Sequence, residues 1–171
     1  HGLFAANGIL FNHESPRRGL NFVTRKITHS LARILSGHEK KIFLGDISTR
    51  RDWGHSKDYV RGIWLILQHK KPEDFVLSTG KNYSIEDFLK KVFKILNLDW
   101  KKFVVTNNKN FMRPSEVRSL QGDSTKARKL LKWKPKYDLD ALCKDMLISD
   151  LELYGMSLDQ AKNIAKKLSK K

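Results

Sequence analysis

Apolar residues recur along the chain at two spacings, and the alternation between them lays out the elements. Gly8-Ile9-Leu10-Phe11 is a short apolar run that ends abruptly in Asn12, His13, Glu14 and Ser15, then passes through Pro16, Arg17, Arg18 and Gly19. Such a run reads as a buried strand whose carboxyl end opens into a crevice, where open α/β sheets bind ligands. From Asn21 to Ser36 the period changes: Val23, Ile27, Leu31, Ile34 and Leu35 share a helical face, with Asn21 as cap and Gly37 just past the end. Lys41-Ile42-Phe43-Leu44 predicts a strand, and residues 58–69 predict a helix through Val60, Ile63, Trp64 and Leu67, followed by Pro72. On this pattern Trp64 belongs to the core, as do Phe88 and Phe93 further on.

Phe75 to Gly80 is a strand ending in small polar residues. It leads to a helix capped by Ser84, whose Ile85, Phe88, Leu89, Val92, Phe93 and Leu96 form one unbroken stripe. Phe103 to Thr106 is strand-like, Asn107 to Asn110 is irregular, and Arg113, standing before Pro114, is held extended. Asp123 or Ser124 caps a short helix through Ala127, Leu130 and Leu131, and Asp138 opens another with Leu139, Leu142, Cys143, Met146 and Leu147 inward. Ser157 and Gln160 make a capping box before a Lys-rich segment expected as a solvated terminal helix. Few short strands alternate with helices over connections of varied length, which predicts an α/β substrate domain and not a complete doubly wound sheet. The opening strand has no predicted neighbours before it, so the chain reads as the back part of something larger.

Charge changes this picture only in part. There are 34 Lys and Arg against 18 Asp and Glu, a formal net charge of +16, which suits an anionic partner: nucleic acid, a membrane surface or a phosphorylated small molecule. The lysines, however, spread over the polar faces of every helix, as a solvated surface would have them, and the arginines gather at a few loops. Cys143 is the one cysteine, which rules out a disulfide framework and a cysteine-based metal site and fits a reducing compartment. No apolar run approaches the roughly 20 residues needed to span a bilayer, and the start carries no leader pattern. The expectation is a cytoplasmic protein without a membrane partner.

Several catalytic signatures are missing. The sequence has no Gly-x-Gly-x-x-Gly, no P-loop and no His-Glu-x-x-His. It also has no Tyr-x-x-x-Lys pair, since Tyr59, Tyr83, Tyr137 and Tyr154 are followed four places on by Ile63, Asp87, Ala141 and Leu158. Three arginine sites are left as candidate chemistry: Arg17 and Arg18 between Pro16 and Gly19, Arg51 before Asp52 and Trp53, and Arg113 beside Pro114 and Glu116. Arginine on a stiff loop suits bidentate recognition of a diphosphate, and structural ion pairing is the competing reading. His13 and His55 are loop histidines beside charged residues, expected to form hydrogen bonds and not to hold a metal.

These residues carry a family resemblance. Asn7 to Gly19 with Phe22-Val23-Thr24-Arg25-Lys26-Ile27, then Arg51-Asp52-Trp53-Gly54-His55-Ser56-Lys57-Asp58-Tyr59-Val60, Arg113-Pro114-Ser115-Glu116-Val117 and Trp133-Lys134-Pro135 resemble the carboxyl-terminal half of the GDP-mannose 4,6-dehydratases. Departures fall at Asn107 to Met112 and at Arg118. The resemblance implies the C-terminal part of an NAD(P)-binding Rossmann-type extended short-chain dehydrogenase fold. In it, residues 1–20 supply last strands and the crevice loop, 21–154 the sugar-nucleotide-binding subdomain, and 155–171 a Lys-rich tail. It further implies NADP as cofactor, GDP-mannose as substrate, GDP-4-keto-6-deoxymannose as product and a homo-oligomer at full length.

The resemblance gives His13 and Arg18 to the cofactor, and Asn7, Lys26, Arg51, Arg113 and Glu116 to the sugar nucleotide. No catalytic residue is carried over, and the segment alone is expected to be inactive. The rival readings are a GDP-sugar reductase or epimerase of the same fold, a basic nucleic-acid-binding module, and a truncated product without activity.

Overall fold

A computed structural model describes residues 2–111 and 117–169. Its strands are β1 (Gly8–Leu10), β2 (Asn12–Glu14), β3 (Ile42–Phe43), β4 (Arg50–Arg51), β5 (Trp53–His55), β6 (Phe75–Leu77), β7 (Tyr83–Ser84) and β8 (Val104–Val105). Its α-helices are α1 (Val23–Leu35), α2 (Ser56–Leu67), α3 (Ile85–Lys94), α4 (Thr125–Leu130), α5 (Leu139–Glu152) and α6 (Leu158–Ser169).

The predicted opening strand is one extended run that changes partner at Phe11. β1 pairs parallel with β6, Gly8 opposite Phe75 and Leu10 opposite Leu77, and the Phe11 N–H still donates to the Leu77 carbonyl at 3.0 Å. From Asn12 the run turns to β5, with Asn12 opposite Trp53 and Glu14 opposite His55. β3 and β8 are also parallel, whereas β4 and β7 are antiparallel. Because parallel pairs need long crossovers, each of these joins segments far apart in sequence, with helices filling the intervals.

Most apolar side chains meet in one core built by α1, α3, α5 and α6 with β3, including Ile27, Leu31, Phe88, Phe93, Leu142, Met146 and Leu147. Burying a side chain of that size stabilises by about 1.5–3 kcal/mol. Local signals agree with the packing. Ser84 Oγ accepts from Asp87 N–H at 3.0 Å while Asp87 Oδ2 accepts from Ser84 N–H at 2.9 Å, and Asp138 Oδ1 accepts from Ala141 N–H at 2.8 Å. α1 has Phe22, not Asn21, at its cap position and no side-chain cap bond. The Lys-rich tail also differs from expectation. It forms α6, whose Ala161 and Ala165 are buried in this core, since a face of small residues lets the helix lie close on its neighbours.

A second, smaller core sits around β6, where Tyr59, Ile66, Phe75, Leu77, Ala127, Leu131 and Trp133 pack. Here the sequence reading of α2 needs correction. Trp64 is 58% exposed, and Val60, Ile63 and Leu67 are exposed with it, because the helix buries its other face through Tyr59, Gly62 and Ile66.

Buried carboxylates hold the loops. Asp52, fully buried after β4, accepts from Thr79 N–H and Oγ1, from Gly80 N–H and from Gly122 N–H at 2.5–3.2 Å, so three separate segments meet at one side chain. Asp58 accepts from the N–H groups of Lys136 and Tyr137 at 2.8 and 3.0 Å and fixes the approach to α5. Gly122 has no room for a side chain, since a Cβ there would lie 2.4 Å from Ser78 Cβ and 2.8 Å from the Phe11 ring. Gly122→Ala is expected to destabilise the fold by about 1–3 kcal/mol in urea unfolding, and an unchanged midpoint would contradict this packing.

Candidate functional site

The run from β1 through β2 lies between two openings. On one side is a cavity of about 620 Å³, lined by Asn12 and Glu14 of β2, Phe22, Lys26 and His29 at the start of α1, Asp46, Arg51, Trp53 and Phe111. On the other is a shallower one of about 310 Å³, lined by Leu10, Phe11, Asn12, His13, Arg18 and Leu120. Side chains alternate across a strand, so a polar strand end serves both openings. Asn12 lines both.

In the larger cavity, the Lys26 ammonium lies 3.3 Å from the centroid of the Phe111 ring, and burial holds its pKa below the ordinary lysine value. Arg51 Nη1 donates to the carbonyls of Arg50 and Val117 at 2.7 and 2.6 Å, which fixes the guanidinium beside the cavity. Two carboxylates line the same cavity: Glu14, 2% exposed, and Asp46, which is exposed. Thr24 Oγ1 donates to Glu14 Oε2 at 2.5 Å, and Arg18 Nε lies 3.2 Å from the same oxygen. Desolvation raises the Glu14 pKa in spite of the Thr24 hydrogen bond and the attraction of Arg18.

In the smaller cavity, His13 Nδ1 lies 2.8 Å from the Phe11 carbonyl, which can only accept, so Nδ1 carries a proton and donates it there. The ring stacks on Tyr59 at 4.9 Å between centroids. Arg18 lies over Phe22, its Cζ 3.5 Å from the ring centroid, and its Nε has no hydrogen-bond partner despite the proximity of Glu14. A guanidinium held this way keeps donors for an anion. The loop carrying it is tied down from below: Arg25 Nη1 donates to the carbonyls of Pro16 and Arg18, and Arg25 Nε donates to Asp150 Oδ1 at 2.7 Å.

With this geometry in hand, comparison with known proteins gives a direct result. The family profile described as GDP-mannose 4,6 dehydratase matches residues 1–146. The chain belongs to the GDP-mannose 4,6-dehydratase family. It is 52% identical over 153 residues to GDP-mannose 4,6 dehydratase 2 of Arabidopsis thaliana, covering 90% of this chain and 41% of that protein. It is 46% identical over 169 residues to the GDP-mannose 4,6 dehydratase of Homo sapiens, covering 90% and 45%. The chain thus spans less than half the length of these relatives.

Among solved structures, RMD from Pseudomonas aeruginosa complexed with NADPH superposes with a TM-score of 0.80 at 20% identity, covering 89% of this chain and 50% of that one. UDP-glucuronic acid 4-epimerase from Bacillus cereus in complex with UDP-glucuronic acid and NAD gives 0.73 at 21%, covering 87% and 46%. The α/β fold is accordingly a part of the Rossmann-type extended short-chain dehydrogenase fold.

The dehydratase-like segment brings four of the sequence-predicted residues to the openings: His13 and Arg18 to the smaller, Lys26 and Arg51 to the larger. Asn7 is not brought there. It precedes β1 at the opposite end from the crevice loop, where its N–H and Nδ2 both donate to Asp74 Oδ1 at 2.7 and 3.1 Å. Arg113 and Glu116 lie outside the described residues. His55 is a structural residue: buried, it caps α2 by accepting from Lys57 N–H at 3.1 Å and sits 2.9 Å from Asp145. Among the described residues no group of three His, Cys, Asp or Glu side chains is placed to hold a metal ion. No helix among them is long and apolar enough to cross a membrane.

The sequence reading passed over Asn12, Glu14, Asp46 and Phe111. The polar strand end was a visible signal for the first two, but Asp46 and Phe111 come to the cavity only through pairing far along the chain.

The raised pKa of Glu14 makes a signed prediction. The folded state binds its proton more tightly than the unfolded chain, whose value is near 4.5. Its contribution to stability is therefore full below about 4.5 and is lost as pH rises through the folded value. Relative to Glu14→Gln, the unmodified chain should lose stability as pH is raised from 4.5, measured by urea unfolding in parallel. A constant difference between the two across pH would refute the buried, desolvated carboxyl.

Proposed function

We propose that this chain is the sugar-nucleotide-binding part of an NADP-dependent GDP-mannose 4,6-dehydratase, a hydro-lyase that converts GDP-mannose to GDP-4-keto-6-deoxymannose. The observation that carries the reading is the strand end at Asn12 to Glu14, with Lys26 and Arg51 on one side of it and Arg18 on the other, in a member of this family. Lys26 and Arg51 would hold the diphosphate and sugar in the larger cavity, with Arg113 and Glu116 completing the nucleotide contacts and Asn7 fixing the strand that leads to them. His13 and Arg18 would meet NADP.

The residues present fit a dinucleotide on their side: Arg18 and His13 line the smaller opening together, a guanidinium beside an imidazole whose Nδ1 is held by the Phe11 carbonyl. NADP, when bound, supplies reversible hydride transfer to the sugar. The part of this chain is to bind and orient. Arg51, anchored to two carbonyls, would neutralise phosphate charge without first being ordered, and the aromatic walls from Phe22 and Trp53 would exclude water from the sugar.

No general base with the Tyr-x-x-x-Lys spacing is present, so catalytic groups belong to the part of the relatives' length that this chain does not cover. Domain limits near residues 20 and 154, assembly into a homo-oligomer with the rest of the enzyme, and a place in the cytoplasm go with this reading.

The basic surface leaves a nucleic-acid-binding module as the rival, and both are tested by calorimetric titration. The chain is expected to bind GDP-mannose with no product formed. Arg51→Ala should weaken binding by roughly 10-fold or more, as loss of a charge-assisted contact implies. Product formation by the chain alone would overturn the placement of the chemistry elsewhere. Tighter binding of short oligonucleotides than of GDP-mannose at physiological salt would favour the rival.

A further inference from the structure

A buried ion pair reaches from the helical core to the loop at the smaller opening. Arg25 on α1 and Asp150 on α5 are 125 residues apart in sequence and 8% and 0% exposed, and Arg25 Nε donates to Asp150 Oδ1 at 2.7 Å. Thr28 Oγ1 donates to the other Asp150 oxygen at 2.6 Å. Taking two charges out of water is costly, and apolar side chains often replace such a pair with no loss of stability, so packing alone does not call for these ions.

What apolar side chains would lack is the far end of the guanidinium. Arg25 Nη1 donates to the carbonyl of Pro16 and, at 3.2 Å, to that of Arg18. The consequence falls on Arg18. Its N–H donates to the Ser15 carbonyl at 2.9 Å, which sets the peptide plane before its Cα, and Arg25 holds its carbonyl, which sets the plane after it. Because peptide units are planar, holding the two planes that meet at a Cα fixes both of its soft dihedrals. The direction in which the Arg18 side chain leaves the backbone is then no longer free. It lines the smaller opening, its Cζ 3.5 Å from the centroid of the Phe22 ring.

We infer that Arg25, oriented by Asp150 and Thr28, is a positioning residue for the cofactor: by binding the carbonyls on either side of Arg17 it sets the backbone from which Arg18 reaches the dinucleotide. The inference deepens the proposed function and rests on its assignment of Arg18 to NADP. A lysine would keep the charge but not the fork, since a guanidinium presents donors in several fixed directions at once and an ammonium is a single point of charge. Three acceptors from two distant parts of the chain meet on Arg25, and each lies along a different direction of its plane.

The test replaces both partners together, because removing one alone leaves the other buried and unpaired. Arg25→Met with Asp150→Leu removes both charges, and Thr28 Oγ1 still has the Thr24 and Arg25 carbonyls at 3.4 and 3.3 Å as acceptors. This double variant is expected to keep its urea midpoint. The amides of Arg17 and Arg18, both bonded to Ser15, should exchange with deuterium at least roughly 10-fold faster. NADPH affinity in calorimetric titration should fall by roughly 10- to 100-fold, the scale set by a misplaced binding group. Arg18→Ala should lose a similar amount, and adding the pair replacement to it should cost no more than roughly twofold further, because groups that act through one another are not additive. Unchanged NADPH affinity in the double variant, or a loss that adds in full to that of Arg18→Ala, would overturn the inference and leave Arg18 as a cofactor contact. A lowered urea midpoint would make the pair a structural one and overturn it as well. No binding of NADPH by the unmodified chain would overturn the assignment of Arg18 and the inference with it.

Discussion

Arg25 is the side chain on which both openings depend. It is buried on α1, its Nε bonded to Asp150 of α5 and its Nη1 to carbonyls of the loop at Pro16 and Arg18, while Thr28, one turn on, donates to the other Asp150 oxygen at 2.6 Å. One guanidinium therefore joins the helical core to the loop that carries the proposed cofactor contacts. Burial raises the Asp150 pKa although Thr28 and Arg25 work against it, which shows how much solvation the pair has given up. A pair of this kind adds little net stability over a well-packed apolar substitute, but losing one partner strands the other at a cost of about 3–5 kcal/mol. Its value here is positional. The backbone between Glu14 and Gly19 could take many paths, and the carbonyls bound to Arg25 leave it few.

The same economy appears on the other side of the strand. Asp52 gathers Thr79, Gly80 and Gly122 onto one carboxylate immediately after Arg51. The cation is thus adjacent in sequence to an anchor that cannot move without releasing two loops, at Thr79–Gly80 and at Gly122. The change of partner at Phe11 completes the arrangement, because β1 commits the chain to the small core beneath β6 and β2 then turns the polar strand end toward β5 and Arg51. Glu14 stands at the meeting point, bonded to Thr24 on the side of the larger cavity and beside Arg18 on the side of the smaller.

Much of the helical framework was legible in the sequence because its signals are local. The Ser84 and Asp138 caps and the Phe88 to Phe93 stripe stand where spacing put them, and so does buried Cys143. What failed was the choice between two faces of α2. Val60, Ile63, Trp64 and Leu67 are a better apolar stripe than Tyr59, Gly62 and Ile66, yet the second set is buried, because Gly62 lets the helix approach Leu77 and Trp133 closely and no spacing rule weighs a missing side chain that way. The site divides in the same manner. Arg51 and Arg18 were proposed from loop stiffness and family likeness, Lys26 and His13 from likeness alone, and all four line the openings. Asn7 shares the likeness, but the structure holds it at Asp74, and Asp46 and Phe111 depend on a pairing between residues 44–45 and 107–108 that one segment alone does not reveal.

The two-faced character of α2 has a consequence for which substitutions the chain can absorb. A polar residue at Ile66 or Gly62 would strike packed neighbours, and the fold itself would reject it. At Trp64 or Val60, 58% and 64% exposed, the same change meets mostly solvent, so packing among the described residues does little to keep those positions apolar. If they are found to tolerate no polar replacement across related sequences, the constraint is imposed from outside the 171 residues, and sequence drift on this single helix becomes a record of whether the chain has kept company with another folded surface.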